Sequence, residues 1–487
     1  MKKAEAVLIP LPAIGHIVAV VEMAKLLAQR DDRLYTTVLV MHPTVDPNTI
    51  NYMESITAST LPDRMRVINL PRVEPITSDI EPNKWLRSLV EGQKTHVKEY
   101  VSKIRTQFEM NPNSPRLAGF IFDTFAARMK DVLNEFGVPW YVFSASGAAF
   151  IGNMLHLTAL HDEQGVDLTE LKNSEDELKI PCLASPIPAK LVPSMVFEKD
   201  SLTAFLEHAR LLTEARGILI NTFLGFESYA INSLSDGKTP PVYPVGPIVK
   251  HVGDGGDPMS DESTNYRDIM EWLNDHPPLS VVFLCFGSWG SFKEKQVKEI
   301  AIALEHSGHR FLWSLRKPSQ NDEIQSPSDY EDFQSILPQG FLDRTAKIGK
   351  VIGWAPQVEI LSHSAVGGFA SHCGWNSILE SLRFGVPIAT WPLYAEQQFN
   401  AFMLIVELGF GVEIKMDYRS EFNWDGNENI ISAGEIERGV RCLMELGSEK
   451  VEKLKGLSGK SRKALENGGS SFTWLGRFIQ DLVDHLS

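Results

Sequence analysis

The feature that most limits what this chain can become is one unbroken stretch, Trp354 to Gln397, WAPQVEILSHSAVGGFASHCGWNSILESLRFGVPIATWPLYAEQ. It has the form of two strand-then-helix units in series. Gly367 to Ser371 suits a short buried strand and His372 to Trp375 a tight turn. Asn376 to Phe384 then reads as a helix, for which Asn376 and Ser377 are suitable N-cap residues. Gly385 and Pro387 mark its end, because glycine accepts the left-handed conformation after a helix and proline cannot continue one. Val386 to Trp391 reads as the next strand and Pro392 to Gln397 as the loop leaving it.

That order of elements makes a site. A helix N-terminus presents unpaired N–H groups and the positive end of its dipole, so the turn at His372 to Ser377 can seat an anion. In open parallel α/β sheets, ligands lie beyond the carboxyl ends of the strands, so both loops should line one crevice. The first loop offers His372, Asn376 and Ser377 as phosphate donors, and the second ends in Glu396-Gln397, an acceptor beside an amide, which suits sugar hydroxyls. A diphosphate joined to a sugar fits both. Taken singly, each of these residues is more often a helix start or a core aromatic; the joint pattern carries the reading.

The rest of the chain supplies the frame. Ala6 to Ile9 reads as a buried strand, Pro10 to Gly15 as a loop, Ile17 to Gln29 as a helix and Tyr35 to Met41 as a strand, a spacing that indicates a parallel sheet. The alternation continues through a helix near Asn83 to Gln107, strand Leu117 to Phe122, helix Ala126 to Phe136, strand Pro139 to Phe143 and strand Gly217 to Asn221. His251 to Thr264 has no apolar periodicity and reads as a linker. Alternation restarts with helix Tyr266 to Leu273, strand Ser280 to Phe286, helix Lys293 to Ser307 and strand Arg310 to Leu315, while Gln320 to Asp332 is acidic and polar. The expectation is an α/β chain of two Rossmann-like halves: residues 1–248, a linker at 249–265, residues 266–468, and a C-terminal helix at 469–487 packing back on the first half.

Charge and composition exclude several classes. A formal net charge of −15 argues against nucleic acid and against an anionic membrane as partners. Cys182, Cys285, Cys373 and Cys442 show no C-x-x-C pairing, so neither a zinc site nor a disulfide framework is indicated. The N-terminal apolar run is interrupted by Glu5, Pro10, Pro12, His16 and Glu22, and the C-terminal helix carries Arg477, Asp481 and Asp484. With no export signal or membrane anchor, a cytoplasmic monomer is expected.

Two residues of the first half stand where chemistry could start. His16 lies between a strand and a helix, and a helix N-terminus disfavours imidazolium, so a neutral base is expected there. Asp123 ends the strand LAGFIF, where it is either a helix N-cap or a partner for His16. If the two strands are neighbours, Asp123 can hold the His16 tautomer and stabilise its charged form.

Across its whole length, Trp354 to Gln397 closely resembles the signature box of the plant family 1 UDP-glycosyltransferases. RLAGFIFDTF, FSASGAAF and IPCLASPIPAK resemble the branch acting on phenylpropanoids, flavonoids, stilbenes and related small phenols, and the likeness covers nearly the whole chain. The resemblance implies a GT-B fold, two Rossmann-like domains facing across a cleft. It makes His16 the base and Asp123 its partner, with Trp354 on uracil, Ala355 bonding the uracil edge, and Gln357 and Glu380 on ribose. It places His372, Asn376, Ser377 and Ser288 on the diphosphate, Trp375, Glu396 and Gln397 on the hexose, and Ser144 on the sugar or β-phosphate. Gln at position 397 goes with glucose in the family; Glu396 replaces a frequent aspartate and Ser364 a usual proline. The implied reaction is an inverting transfer of glucose from UDP-glucose to a phenolic hydroxyl, giving a β-glucoside. No D-x-D motif is present, so no metal and no cofactor beyond the donor are expected. Ile14, Gly15, Phe125, Phe150, Met154 and the loop near Leu183 to Val196 would line an apolar acceptor site.

The rivals are weaker. A nicotinamide enzyme needs G-x-G-x-x-G after a strand, and the nearest glycine cluster, Gly253 to Pro258, sits in the linker. Neither a complete P-loop nor G-x-S-x-G is found. A UDP-sugar epimerase or a non-catalytic UDP-sugar binder remains the alternative on the same architecture.

Overall fold

In a computed structural model, the described residues are 3–42, 47–58, 60–73, 82–250, 252, 264–319, 326–420, 429–484 and 486. The linker expected at 251–264 lies outside them except for Val252 and Thr264, and so do residues 320–325 of the acidic stretch.

The first half is a seven-stranded parallel sheet. Its strands are β1 (Ala4–Ile9), β2 (Leu34–Val40), β3 (Met65–Asn69), β4 (Arg116–Asp123), β5 (Trp140–Ser144), β6 (Ile218–Ile220) and β7 (Val242–Pro244), in the spatial order β3-β2-β1-β4-β5-β6-β7. The second half repeats the plan with β8 (Val281–Cys285), β9 (Arg310–Ser314), β10 (Gly349–Ile352), β11 (Val366–Ser371), β12 (Ile388–Thr390) and β13 (Val412–Glu413), in the order β10-β9-β8-β11-β12-β13. Both halves therefore reverse direction beside their first strand. These are the two Rossmann-like domains of the GT-B architecture.

The strands read as unbroken apolar runs because helices cover both sheet faces. Alternation still sorts them: Val7 and Ile9 enter one core and Ala6 and Leu8 the other. In β8, Val282 and Leu284 face one way, and Val281, Phe283 and Cys285 the other.

Six helices border the cleft or brace its walls: α1 (Ile14–Arg30), α2 (Pro82–Met110), α3 (Ala148–Gln164), α4 (Lys199–Glu214), α5 (Trp375–Phe384) and α6 (Ser470–Asp484). The helix expected at Ala126 to Phe136 is a 3₁₀ turn, Thr124–Met129, followed by a short α-helix, Lys130–Asn134. Among the described residues, no helix is long and apolar enough to cross a membrane.

The last helix belongs spatially to the first half. Phe478 of α6 is fully buried, edge-on to Tyr141 at 5.0 Å and to Tyr243 at 5.5 Å. Asp481 accepts the Tyr141 hydroxyl at 2.7 Å and pairs with Arg216 at 3.0 Å. Removing such a ring leaves a cavity that the rigid sheet cannot collapse into, so Phe478→Ala is expected to cost about 3–5 kcal/mol. A urea titration followed by tryptophan fluorescence checks this; an unchanged midpoint would mean the helix contributes nothing to the first half.

Candidate active site

The reversal of strand order sets the positions of the key side chains. β1 and β4 run side by side, with Ile9 opposite Phe122, so the segments leaving them emerge together. α1 starts after the N-cap Ala13, which places His16 in its first turn, and Asp123 is the last residue of β4. His16 Nδ1 lies 2.7 Å from Asp123 Oδ2. The other carboxylate oxygen, Oδ1, accepts the Phe125 N–H at 3.0 Å. Asp123 is thus both helix cap and histidine partner, one oxygen for each, and it is completely buried.

Across the cleft the second half does the same with β8 and β11, where Cys285 lies opposite Ser371. Their exit loops carry Ser288 and His372. The turn after β11 is tight: Cys373 has a left-handed φ of 65°, and Gly374 is the N-cap of α5. Asn376 and Ser377 are therefore not the caps but the second and third helical residues, because α5 begins one residue earlier, at Trp375. Gly287 and Gly374 both crowd His372; a Cβ on either would meet its Nε2 at 2.5 Å. His372 lines the cleft, and its Nδ1 is buried with no hydrogen-bond partner.

The two loop sets close on one cleft of about 520 Å³. It gathers His16, Ser288, Trp354, Ala355, Gln357, His372, Trp375, Asn376, Ser377, Glu380, Glu396 and Gln397, with Ile14, Gly15, Phe125 and Phe150 on the first-half wall. Gln357 Nε2 donates to Glu380 at 2.6 Å and to Ser377 at 2.9 Å, a polar patch beside the Trp354 indole. Gln397 Oε1 accepts the backbone N–H groups of Leu393 and Tyr394, which fixes the side chain against its own loop.

A family model for UDP-glucoronosyl and UDP-glucosyl transferases matches residues 242–422. UDP-glycosyltransferase 71A15 of Malus domestica is 51% identical, with 99% of this chain and 100% of the relative covered. Anthocyanidin 3-O-glucosyltransferase 1 of Manihot esculenta is also 51% identical, covering 96% of this chain and 100% of its own length. The chain belongs to the plant family 1 UDP-glycosyltransferases. Among solved structures, a UGT transferase from Siraitia grosvenorii in complex with UDP is 44% identical at a TM-score of 0.86, covering 99% and 100% of the two chains. UGT71G1 of Medicago truncatula, complexed with UDP-glucose, is 37% identical at 0.84, covering 99% and 98%.

Within this glycosyltransferase, two expected contacts are corrected. Ser144 is buried at 1% exposure and bonds Ser146, because β5 still points it into the sheet; Ala145 and Ser146 line the cleft instead. Met154 is fully buried in the core of the first half, one turn beyond the part of α3 that reaches the cleft. Trp375 lines the cleft, while its indole Nε1 donates to the Asn221 carbonyl at 2.8 Å and its ring packs on Phe226. Asn376 also bridges the halves, donating to the Gly15 carbonyl at 2.8 Å, with its Oδ1 left unpartnered. Arg316 and Lys250 had no motif to single them out in the sequence, although both line the cleft. Arg316 follows β9, lies 5.0 Å from the Trp354 ring centroid and pairs with Asp329; its place just past a strand end was the available signal.

The two cleft histidines are pushed in opposite directions. Burial drives His372 down to about 4, with no carboxylate to counter it. Burial also acts to lower His16, but the charge and hydrogen bond of Asp123, helped by Glu396, more than offset it, and the imidazole lies above its ordinary 6.5. The direction of this shift is set by the carboxylates and not by the helix N-terminus. A step that needs neutral His16 is lost as pH falls through this raised value. The kcat/KM profile, measured from about pH 5 to 9, should have its acid limb above 6.5, and Asp123→Asn should move that limb down. A limb below 6.5 in the wild-type protein contradicts the assignment.

Proposed function

We propose that this glycosyltransferase moves glucose from UDP-glucose to a hydroxyl of a small phenolic acceptor with inversion, giving a β-glucoside. The observation that carries the reading is the 2.7 Å contact between His16 and Asp123 on the wall opposite the donor loops of the same cleft. With Nδ1 donating to Asp123, the lone pair of Nε2 is the one left to take a proton. His16 removes the acceptor hydroxyl proton while the oxygen forms its bond to C1 of the sugar. The C1–O bond to the diphosphate breaks on the opposite face, and UDP leaves with the electron pair.

The donor would lie along the second half, with uracil on Trp354 and the ribose hydroxyls on Glu380 and Gln357. The His372 imidazole, which lines the cleft, would bind a phosphate oxygen, assisted by Ser288, Ser377 and the first N–H groups of α5. Glu396 and Gln397 would receive the hexose hydroxyls. Support for glucose comes from Gln397. Support for a phenol comes from the Ile14, Phe125 and Phe150 wall and from relatives whose names specify flavonoid and anthocyanidin glucosylation. The proposal includes no metal, since these groups would neutralise the leaving charge themselves.

Release of UDP should require both UDP-glucose and a phenol such as a simple flavonol; release without acceptor would favour a hydrolytic or epimerase-type activity. His16→Ala should lower the rate by roughly 10²–10⁴-fold while UDP binding by calorimetry is kept. Retention of more than about a tenth of the rate removes His16 as the base. Exhaustive EDTA treatment should leave turnover unchanged, and a loss restored by added divalent cation would refute the metal-free account.

A further inference from the structure

A second cavity of about 170 Å³ lies behind the acceptor wall, between α2 and α4. The partition is Phe125, which lines both spaces. Its ring is edge-on to His16 on the cleft side, at 6.0 Å between centroids, and edge-on to His208 on the far side, at 5.1 Å. His208 is 5% exposed, lines this cavity, and its Nδ1 is buried without a hydrogen-bond partner. A buried polar atom left unpaired costs free energy that a ligand can return.

The lining is mixed in charge, with Lys84, Arg87 and Arg128 beside Asp200 and Glu207. Arg128 pairs with Glu207 and Lys84 with Asp200, so two cations of the lining already face two carboxylates. Burial first, and then the Arg128 charge, push His208 down to about 4, so near neutral pH the imidazole is uncharged. An uncharged imidazole offers one N–H and one lone pair, the complement of a hydroxyl, which also gives and takes one hydrogen bond. The volume suits one aromatic ring: an apolar cavity of about 150 Å³ is enough for benzene.

Resting on the glucosyl-transfer reading, we infer that this cavity is a distal subsite in which His208 receives the hydroxyl-bearing far ring of an extended phenolic acceptor, with Phe125 as the movable wall between that ring and the one attacked at His16. The acceptor class that uses both spaces is a phenol of two or more rings with hydroxyls at opposite ends. One-ring phenols would use the cleft alone.

The test compares three acceptors: p-cresol, p,p′-biphenol and the mono-methyl ether of p,p′-biphenol. The ether keeps both rings, is longer by one methyl group, and cannot donate from its far end. In the wild-type protein the diol should exceed its ether in kcat/KM by about fivefold, the worth of one hydrogen bond. His208→Ala should erase that advantage. Ala204→Phe, which fills the cavity from α4, should lower the ratio of either biphenyl to p-cresol, and Phe125→Ala should raise it. Bound UDP measured on each variant distinguishes a lost subsite from a lost fold. Equal diol and ether in the wild type, or the same advantage in His208→Ala, would overturn the subsite. If no phenol releases UDP in the wild type, the transferase reading fails instead. The subsite is then judged by fluorescence titration with the diol and its ether, where His208-dependent preference supports it and its absence overturns it.

Discussion

The constraint on which this structure rests is the reversal of strand order beside the first strand of each sheet. At that point neighbouring crossovers depart to opposite faces, so a crevice opens beyond the strand ends that no helix fills. In the first half it lies between β1 and β4, and there His16 meets Asp123. In the second half it lies between β8 and β11, and there His372 meets the glycine loop at Gly287. Two copies of one topological accident, set face to face, make a cleft with the His16–Asp123 pair on one side and His372 on the other.

The halves are joined by contacts at the cleft and away from it. Trp375 reaches Asn221, Asn376 reaches Gly15, and Glu407 accepts the N–H groups of Ala184 and Ser185. Arg419 donates to the carbonyls of Lys190 and Val192. All four side chains bond backbone across the boundary, so the register of the halves depends on chain path more than on paired side chains. Gly15 is next to His16, which means that α5 and the imidazole share one hydrogen-bonded link.

Electrostatics then gives two like residues unlike work. His16 and His372 both lose solvent, and both would be pushed towards neutrality by that alone. Asp123 reverses the outcome for His16, whereas His372 has no such partner and stays an uncharged hydrogen-bonding group. His208 resembles His372 in being buried, neutral and unpaired at Nδ1, but it lies on the far side of Phe125 from the cleft.

Much of this was legible along the chain. Strand-and-helix alternation indicated two parallel sheets because apolar period and turn residues are local properties. His16, Asp123 and the Trp354 to Gln397 segment stood out because strand ends followed by glycine, asparagine or serine are read from neighbours in sequence. Side-chain direction was not legible. One residue of drift at the start of α5 moved the cap from Asn376 and Ser377 to Gly374, and the last residue of β5 kept Ser144 buried. The Trp375 indole found its partner 154 positions away at Asn221, and Met154 sank into a core built by distant strands. The cavity at His208 exists only because α2 and α4, far apart in the chain, pack with a ring between them and leave a space. The amino-acid order by itself determined the elements, the two crevices and the chemistry delivered to each, since these follow from local conformation and strand-end geometry. Only tertiary packing decided which atoms face the cleft, which cross between the halves and which protons stay on, because those depend on burial and on charges brought from elsewhere in the chain.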